Sequence, residues 1–211
     1  MLLSLCKRKS LLDETVRSGR FKDKNKLPGT MELWKKNMLI VGFGRIGKSL
    51  IKRCLGFEMN VFVYDPFVTE KTIESYGGKK IENLKESLKN MDMISLHIPI
   101  NDKTKNLFNM DLFKKMKKSC IIVNAARGGI IDENDLDEAL KQNLIFGAGL
   151  DVFSTEPPES NNPLLKNDKV LLSPHVAALT EECRRRMGIE TIQNIIDFFD
   201  KKLEKSKIVK L

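Results

Sequence analysis

The sequence predicts an α/β fold with a doubly wound parallel sheet, in which helices cover both faces of the sheet. Two observations support this prediction. From about Met38 onward, short runs that are apolar on both faces alternate with segments of helical periodicity, which is typical of buried parallel strands. The first of these runs leads directly into a glycine-rich turn and then into a helical segment.

Six strands are predicted from their length, their apolar and β-branched content, and the turn residues that flank them. They are Met38–Val41, Asn60–Tyr64, Met91–Leu96, Cys120–Asn124, Ile145–Leu150 and Lys169–Leu172. The predicted helices between and around them are Leu2–Arg17, Arg45–Leu55, Leu84–Leu88, Glu133–Lys141 with Asp132 as its cap, and a last helix from Thr180 to about Lys202. Residues 18–37 are predicted to form a mostly polar loop. The last helix carries a wide apolar stripe, which needs a packing partner.

Composition and charge argue against several classes of protein. No apolar run approaches the ~20 residues that span a bilayer, and the apolar start is interrupted by Lys7, Arg8 and Lys9, so we predict neither a membrane segment nor a signal peptide. The net charge of +9 comes mainly from scattered lysines. Nucleic-acid binding would favour arginines and aromatics gathered on one element, so no nucleic-acid partner is expected.

The four cysteines form no Cys-x-x-Cys pair, and no histidine lies at metal-ligand spacing from any of them. We therefore predict no metal site. Unpaired cysteines fit a reducing compartment, and the predicted location is the cytoplasm.

The glycine-rich turn has the spacing Gly42-x-Gly44-x-x-Gly47 directly after the first predicted strand. In this motif the first glycine permits the tight turn, the second lets the backbone approach a pyrophosphate, and the third allows close helix–strand packing. Asp65 ends the second predicted strand, about 18 residues after Gly47, where an acid can bind ribose hydroxyls. Because a carboxylate repels a 2′-phosphate, the motif favours NAD over NADP. A Rossmann-type cofactor domain is therefore predicted.

Polar residues follow the last three predicted strands, at the edge where ligands bind in such sheets. They include Arg127, Asp151, Glu156 and His175. A histidine can take an alcohol proton near neutral pH while a hydride leaves the carbon; a carboxylate can hold the imidazole, and arginine can bind a carboxylate in a fork. We assign His175 as acid/base, Glu156 as its partner and Arg127 as the substrate-binding residue. Each of these residues, taken singly, is equally consistent with a structural role.

The other histidine, His97, has no acid placed for it in the sequence. We expect its segment to line the adenosine side of the cofactor through backbone contacts.

These blocks together resemble the D-isomer-specific 2-hydroxyacid dehydrogenases, the NAD-dependent family that includes phosphoglycerate dehydrogenase. The resemblance runs from about Gly19 to about Phe199. It implies that Arg127, Glu156 and His175 are catalytic. The cofactor contacts that it implies are Arg45 and Ile46 at the pyrophosphate, Asp65 at the ribose, Ile98, Ala125, Ala126, Asp151 near the nicotinamide amide, Ala177 and Ala178.

The resemblance also implies a domain organisation. Residues 1–37 would form a dimerisation arm, residues 38–179 the NAD-binding domain, and residues 180–211 a helix that returns to a substrate domain. Most of that substrate domain is expected to be missing, as in an N-terminally truncated product, a fragment or a cofactor-domain module. A homodimer is expected through the arm.

Two functions follow from the sequence. One is the oxidation of a D-2-hydroxyacid with NAD, or the reverse reduction of a 2-oxoacid, with a 3-phosphoglycerate-like compound among the candidate substrates. The other is a non-catalytic NAD-binding or dimerisation module, such as a corepressor-like NAD sensor. Turnover separates them, because both require NAD binding. Weak binding to nucleic acid through the net charge is a third alternative, and it would depend steeply on salt.

Overall fold

The computed structural model describes residues 1–208, and the last three residues of the predicted segment 180–211 lie outside it. The chain divides into two compact units, Met1–His175 and Val176–Leu211. The first unit contains one sheet of seven strands in the order β3-β2-β1-β4-β5-β6-β7. Every neighbouring pair is parallel. The strands are β1 (Asn37–Val41), β2 (Asn60–Tyr64), β3 (Lys79–Lys80), β4 (Met93–Leu96), β5 (Ile121–Asn124), β6 (Gly147–Leu150) and β7 (Val170–Leu172).

Helices lie on both faces of this sheet, and the predicted doubly wound Rossmann-type fold is confirmed. The helices of the first unit are α1 (Leu2–Cys6), α2 (Lys9–Arg17), α3 (Arg45–Gly56), α4 (Glu70–Glu74), α5 (Leu84–Ser87), α6 (Met110–Phe113) and α7 (Glu133–Lys141). Side chains of β1 alternate between two hydrophobic cores: Leu39 and Val41 pack in one, Met38 and Ile40 in the other. This alternation follows from the period of two along a strand.

The strand order reverses between β1 and β4, which adjoin at the centre of the sheet while their chain neighbours lie to either side. In doubly wound sheets this switch point opens a crevice at the carboxyl ends of the strands, where ligands bind. All the predicted site residues of the first unit lie just beyond β1, β2, β4, β5, β6 or β7.

Several predicted elements differ from the structure. The predicted helix Leu2–Arg17 is two helices, because the backbone at Arg8 turns into the left-handed region with φ of 46°. The predicted strands Met91–Leu96 and Ile145–Leu150 begin two residues later than expected, since their first residues continue the preceding turns. The predicted loop 18–37 contains a 3₁₀ helix, Phe21–Lys26.

Strand β3 and helices α4 and α6 were not predicted. Strand β3 is two lysines at the edge of the sheet, and each helix has at most five residues. Elements this short carry no periodic pattern.

The second unit contains helix α8 (Glu181–Phe199). The Thr180 hydroxyl accepts a hydrogen bond from Cys183 N at 3.1 Å, as the predicted cap requires. None of the 19 residues of α8 is buried, and its apolar stripe is exposed, with Ile192 at 62% and Phe199 at 77%.

No helix within residues 1–208 is both long and apolar enough to cross a membrane.

Candidate active site

The glycine-rich turn after β1 is built as its spacing predicts. Gly42 adopts φ of +95°, and a Cβ there would lie 2.5 Å from the His97 carbonyl oxygen. At Gly47 a Cβ would lie 2.3 Å from the Gly42 oxygen and 3.3 Å from the Ile40 side chain on β1. Both glycines are therefore required by close backbone packing. Gly44 differs, because a Cβ there would meet nothing within 4 Å, so the space above the turn is open.

The first turn of α3 borders this open space. Gly44 is the N-cap, and no side chain caps the helix, so the first backbone N–H groups have neither an intrahelical nor a side-chain acceptor. Arg45 and Ile46 are exposed on this turn, Ile46 at 65%. Uncapped N–H groups at the positive end of a helix dipole bind phosphate. The open turn and the uncapped helix thus fit a dinucleotide pyrophosphate.

Asp65 follows β2 beside the same turn. Its Oδ2 accepts a hydrogen bond from Phe43 N at 2.7 Å, and its Oδ1 accepts one from Phe67 N at 2.9 Å. These two bonds fix the orientation of the carboxylate. Each carboxylate oxygen can accept a second hydrogen bond, so acceptor capacity remains for the two ribose hydroxyls.

The segment after β4, which contains His97 and Ile98, packs against the glycine-rich turn at Gly42. The Ile98 side chain lies 2.8 Å from the position of a Cβ on Gly42, next to the His97 carbonyl. The His97 ring hydrogen-bonds through Nε2 to Ser95 Oγ at 2.9 Å. Burial lowers the pKa of His97 to about 4, since desolvation disfavours the charged imidazolium. His97 is therefore neutral at physiological pH, and the bond to Ser95 holds its ring in place.

The loop after β5 carries Ala125, Ala126 and Arg127. Buried Asn124 fixes its shape, accepting a hydrogen bond from Ala126 N at 3.0 Å and donating one to Arg127 O at 2.8 Å. The exposed Arg127 guanidinium donates to Ala126 O at 2.6 Å. Within residues 1–208 it forms no ion pair with Glu156. Arg127 is thus presented at the edge of the sheet by a loop that Asn124 holds.

The structure brings Glu156 and His175 together, although they come from the loops after two different strands. Glu156 Oε2 lies 2.8 Å from His175 Nδ1, and Glu156 Oε1 accepts a hydrogen bond from Phe153 N at 3.1 Å. The bond to His175 and then the bond from Phe153 lower the pKa of Glu156, because both favour the carboxylate. His175 adopts φ of 55°, an uncommon conformation for a residue with a side chain. Glu156 therefore stays ionised and orients the imidazole ring.

Asp151 follows β6 and is buried. Its Oδ1 accepts a hydrogen bond from the Ser173 hydroxyl, and its backbone N donates to Asn124 O at 3.0 Å. These contacts join the end of β5 to the segments that follow β6 and β7. Ala177 and Ala178 belong to the second unit, and both are exposed.

The family model for the D-isomer specific 2-hydroxyacid dehydrogenase NAD binding domain matches residues 1–177. The chain belongs to this family. Its cofactor is accordingly NAD, in agreement with the geometry of the turn, of the α3 N-terminus and of Asp65.

Curated relatives agree with this assignment. The chain is 39% identical over 197 residues to a D-3-phosphoglycerate dehydrogenase of Archaeoglobus fulgidus, a match that covers 93% of this chain but only 37% of that protein. It is 39% identical over 183 residues to a hydroxypyruvate reductase of Thermotoga maritima, covering 86% of this chain and 58% of the relative. The chain therefore spans between about a third and three fifths of the length of these relatives.

A solved structure agrees as well. The D-lactate dehydrogenase of Aquifex aeolicus, complexed with NAD and lactic acid, matches with a TM-score of 0.82 at 28% identity, over 95% of this chain and 64% of that one.

Sequence reasoning missed four residues that shape the site of this NAD-binding domain: Asn124, Gly128, Glu133 and Ser173. Asn124 was detectable as the polar end of an otherwise apolar strand. The other three gave no signal, because each acts through a contact that is distant in sequence. A Cβ on Gly128 would lie 1.7 Å from Phe153 O, Glu133 Oε1 accepts a hydrogen bond from Ser154 N, and the Ser173 hydroxyl donates to Asp151 Oδ1.

The loops after β4, β5 and β6 also border an open cavity of about 840 Å³, which neither Arg127 nor Glu156 lines. Lys105, Asn106, Glu133 and Ser154 are among its lining residues. Among residues 1–208, no cluster of three or more His, Cys, Asp or Glu side chains is placed to bind a metal ion.

Proposed function

We propose that this chain catalyses the NAD-dependent oxidation of the CH–OH group of a D-2-hydroxyacid, and the reverse reduction of a 2-oxoacid. The observation that carries the proposal is the 2.8 Å contact between Glu156 and His175 at the carboxyl edge of an NAD-binding sheet. A titratable base oriented by a carboxylate, beside a cofactor site, has the arrangement that this chemistry needs.

In this proposal His175 is the acid/base residue. Its Nδ1 is directed to Glu156, so Nε2 takes the hydroxyl proton in oxidation and returns it in reduction. The ionised Glu156 carboxylate stabilises the imidazolium that forms. NAD, held by the turn, the α3 N-terminus and Asp65, would supply the hydride acceptor for this oxidation. Arg127 binds the substrate carboxylate with its planar fork and polarises the adjacent oxygen.

The cofactor contacts are proposed residue by residue. Gly42, Gly44 and Gly47 shape the turn, and the exposed Arg45 and Ile46 meet the pyrophosphate. The remaining proposed contacts are Asp65 at the ribose, Asp151 at the nicotinamide amide, and Ile98, Ala125, Ala126, Ala177 and Ala178 along the cofactor.

The names of the relatives suggest which 2-oxoacids to test: 3-phosphohydroxypyruvate and hydroxypyruvate. Glyoxylate is added from a glyoxylate reductase of Korarchaeum cryptofilum, 35% identical over 94% of this chain and 60% of that protein. A second candidate function is NAD binding without catalysis. It is supported by the open turn, the uncapped N-terminus of α3 and Asp65, which fit the cofactor without Glu156 or His175.

We predict that the purified chain oxidises NADH with at least one of these oxoacids and that His175→Ala lowers kcat/KM by about 10²- to 10⁴-fold. The affinity for NADH, measured by fluorescence titration, should stay within about twofold, since His175 lies outside the phosphate-binding turn. A kcat/KM of His175→Ala that equals the wild-type value would contradict the assignment. NADH binding by a wild-type chain without turnover would favour the second candidate.

We further propose that the chain forms a homodimer through residues 1–37 and resides in the cytoplasm. Exposed apolar side chains in this segment support the first proposal: Val16 at 58%, Phe21 at 64% and Trp34 at 48%. Four free cysteines support a reducing compartment.

A further inference from the structure

The segment that carries Glu156 has no regular structure of its own. We call Ser154–Asn162 the Glu156 loop; it belongs to no helix or strand, and residues 154–157 are exposed. Asn162 N donates to Glu159 O at 2.9 Å inside the loop, and Phe153 N, just before the loop, donates to Glu156 Oε1 at 3.1 Å. Neither bond attaches the loop to another element, and loops are more mobile than helices and strands. Contacts outside the loop must therefore fix its position.

A single carboxylate binds both ends of this loop. Glu133 Oε1 accepts a hydrogen bond from Ser154 N at 2.6 Å, and Glu133 Oε2 accepts one from Asn162 Nδ2 at 2.6 Å. Hydrogen bonds to an ionised acceptor are stronger than neutral ones. Glu133 is the first residue of α7, whose N-cap Asp132 accepts hydrogen bonds from Asn134 N and Asp135 N. Both ends of the loop are thus fixed to a capped helix.

Other contacts hold the two donors, Asn162 Nδ2 and Ser154 N, in place beside Glu133. Asn162 Oδ1 accepts a hydrogen bond from Leu164 N at 3.0 Å, so only its NH₂ group faces Glu133. At the other end, a Cβ on Gly128 would lie 1.7 Å from Phe153 O, so the backbone before Ser154 lies directly against the Arg127 loop. The arrangement requires two acceptors at position 133.

We propose that Glu133 is a positioning residue that keeps Glu156 within hydrogen-bonding distance of His175. Its carboxylate bonds neither Glu156 nor His175 among the described contacts, so it acts through the loop backbone. The catalytic consequence rests on the function proposed above, whereas the attachment of the loop does not.

Glu133→Gln tests this proposal, because glutamine offers one acceptor and turns an NH₂ group toward the second donor. We expect amide exchange at Ser154 to become about 10- to 100-fold faster and the His175 ring resonances to move. The Kd for NADH should stay within about twofold, while kcat falls about 10- to 100-fold, since misplacement by about 1 Å has effects of this size. Glu138→Gln is the matched control, since it removes the same charge from α7, where Glu138 accepts a hydrogen bond from Gln142 next to it on the helix surface.

A double variant that restores the hydrogen bonds distinguishes the loss of loop positioning from the loss of the Glu133 charge. In Glu133→Gln combined with Asn162→Asp, the introduced glutamine accepts from Ser154 N and donates to the introduced carboxylate, which still accepts from Leu164 N. We expect the double variant to recover the wild-type Ser154 exchange rate and His175 resonances. Asn162→Asp alone should behave like Glu133→Gln, because two carboxylates then face each other.

The proposal is overturned if Glu133→Gln leaves Ser154 exchange and the His175 resonances as in Glu138→Gln, or if the double variant does not recover them. The turnover measurement tests the proposed function separately from the positioning role of Glu133. A wild-type chain without turnover, together with the expected exchange pattern, would reject the proposed function and retain the positioning role of Glu133.

Discussion

At the residue scale, the two histidines of the chain have opposite environments. His175 is half exposed beside the Glu156 carboxylate, whereas His97 is partly buried with the Ser95 hydroxyl bonded to its ring. Because both residues are histidines, the difference between them comes from burial and from the charged neighbour that only His175 has. Both histidines follow strands in the sequence, and only His175 has an acid within hydrogen-bonding distance of its ring among the described contacts.

The low pKa of His97 predicts how the stability of the chain depends on pH. The folded His97 titrates near pH 4, whereas an unfolded histidine titrates near about 6.5. The unfolded state therefore binds more protons as the pH falls from about 6.5 to 4, and the free energy of unfolding decreases through this window. In His97→Gln this contribution is absent. We expect urea unfolding at pH 7 and pH 5 to show a smaller loss of stability for His97→Gln than for the wild type.

An equal loss in both proteins would contradict this prediction. The His97 ring resonances provide a direct check, because they should not titrate until the pH approaches 4.

At the element scale, the amphipathic and apolar segments were predictable, whereas the short elements β3, α4 and α6 were not. The strand Asn60–Tyr64 and the helix Glu133–Lys141 have the predicted bounds, because their patterns extend over several residues and Asp132 marks the helix start. The break at Arg8 was not predictable, since a left-handed arginine has no sequence signature.

Some features of the site were likewise predictable from the sequence and others were not. The placement of Arg127, Glu156 and His175 beyond strand ends was predictable from the sequence, because parallel strands present their carboxyl ends at one edge. Ile98, Ala125 and Ala126 were named only through the family resemblance. The contacts between loops were not found, because Glu133 and its two donors are separated by 21 and 29 residues.

Gly128 gives a testable case of such an interloop contact. Its Cβ position lies 1.7 Å from Phe153 O and 2.7 Å from Ser154 N, both backbone atoms that cannot rotate away. We expect Gly128→Ala to lower the free energy of unfolding by about 1–3 kcal/mol, as overpacking does, and Tm by roughly 2–10 °C. Gly56→Ala is the control, since a Cβ at the end of α3 meets nothing within 4 Å. Calorimetry that shows the same Tm for both variants would contradict the close approach of the two loops.

At the scale of the whole molecule, one sheet accounts for the cofactor site, and several exposed apolar side chains lie in the N-terminal segment outside that site. The turn after β1, Asp65 and the Glu156–His175 pair all lie at the carboxyl edge of the strands. Val16, Phe21 and Trp34 precede β1, where they are exposed without any role in the site. Exposed apolar side chains gathered in one segment are typical of an interface, which supports the proposed homodimer.

The homodimer predicts a mass of twice 24.1 kDa in analytical ultracentrifugation. Replacing Phe21 with Glu should raise the dimer Kd by about a hundredfold, because each of two copies loses about 1.5 kcal/mol of apolar burial. Phe67→Glu is a matched control, since Phe67 is 94% exposed and lies outside residues 1–37. A dimer that Phe67→Glu weakens and Phe21→Glu does not would move the interface away from the N-terminal segment. A monomer at all concentrations would reject the dimer, while the site within one sheet would still be able to bind NAD.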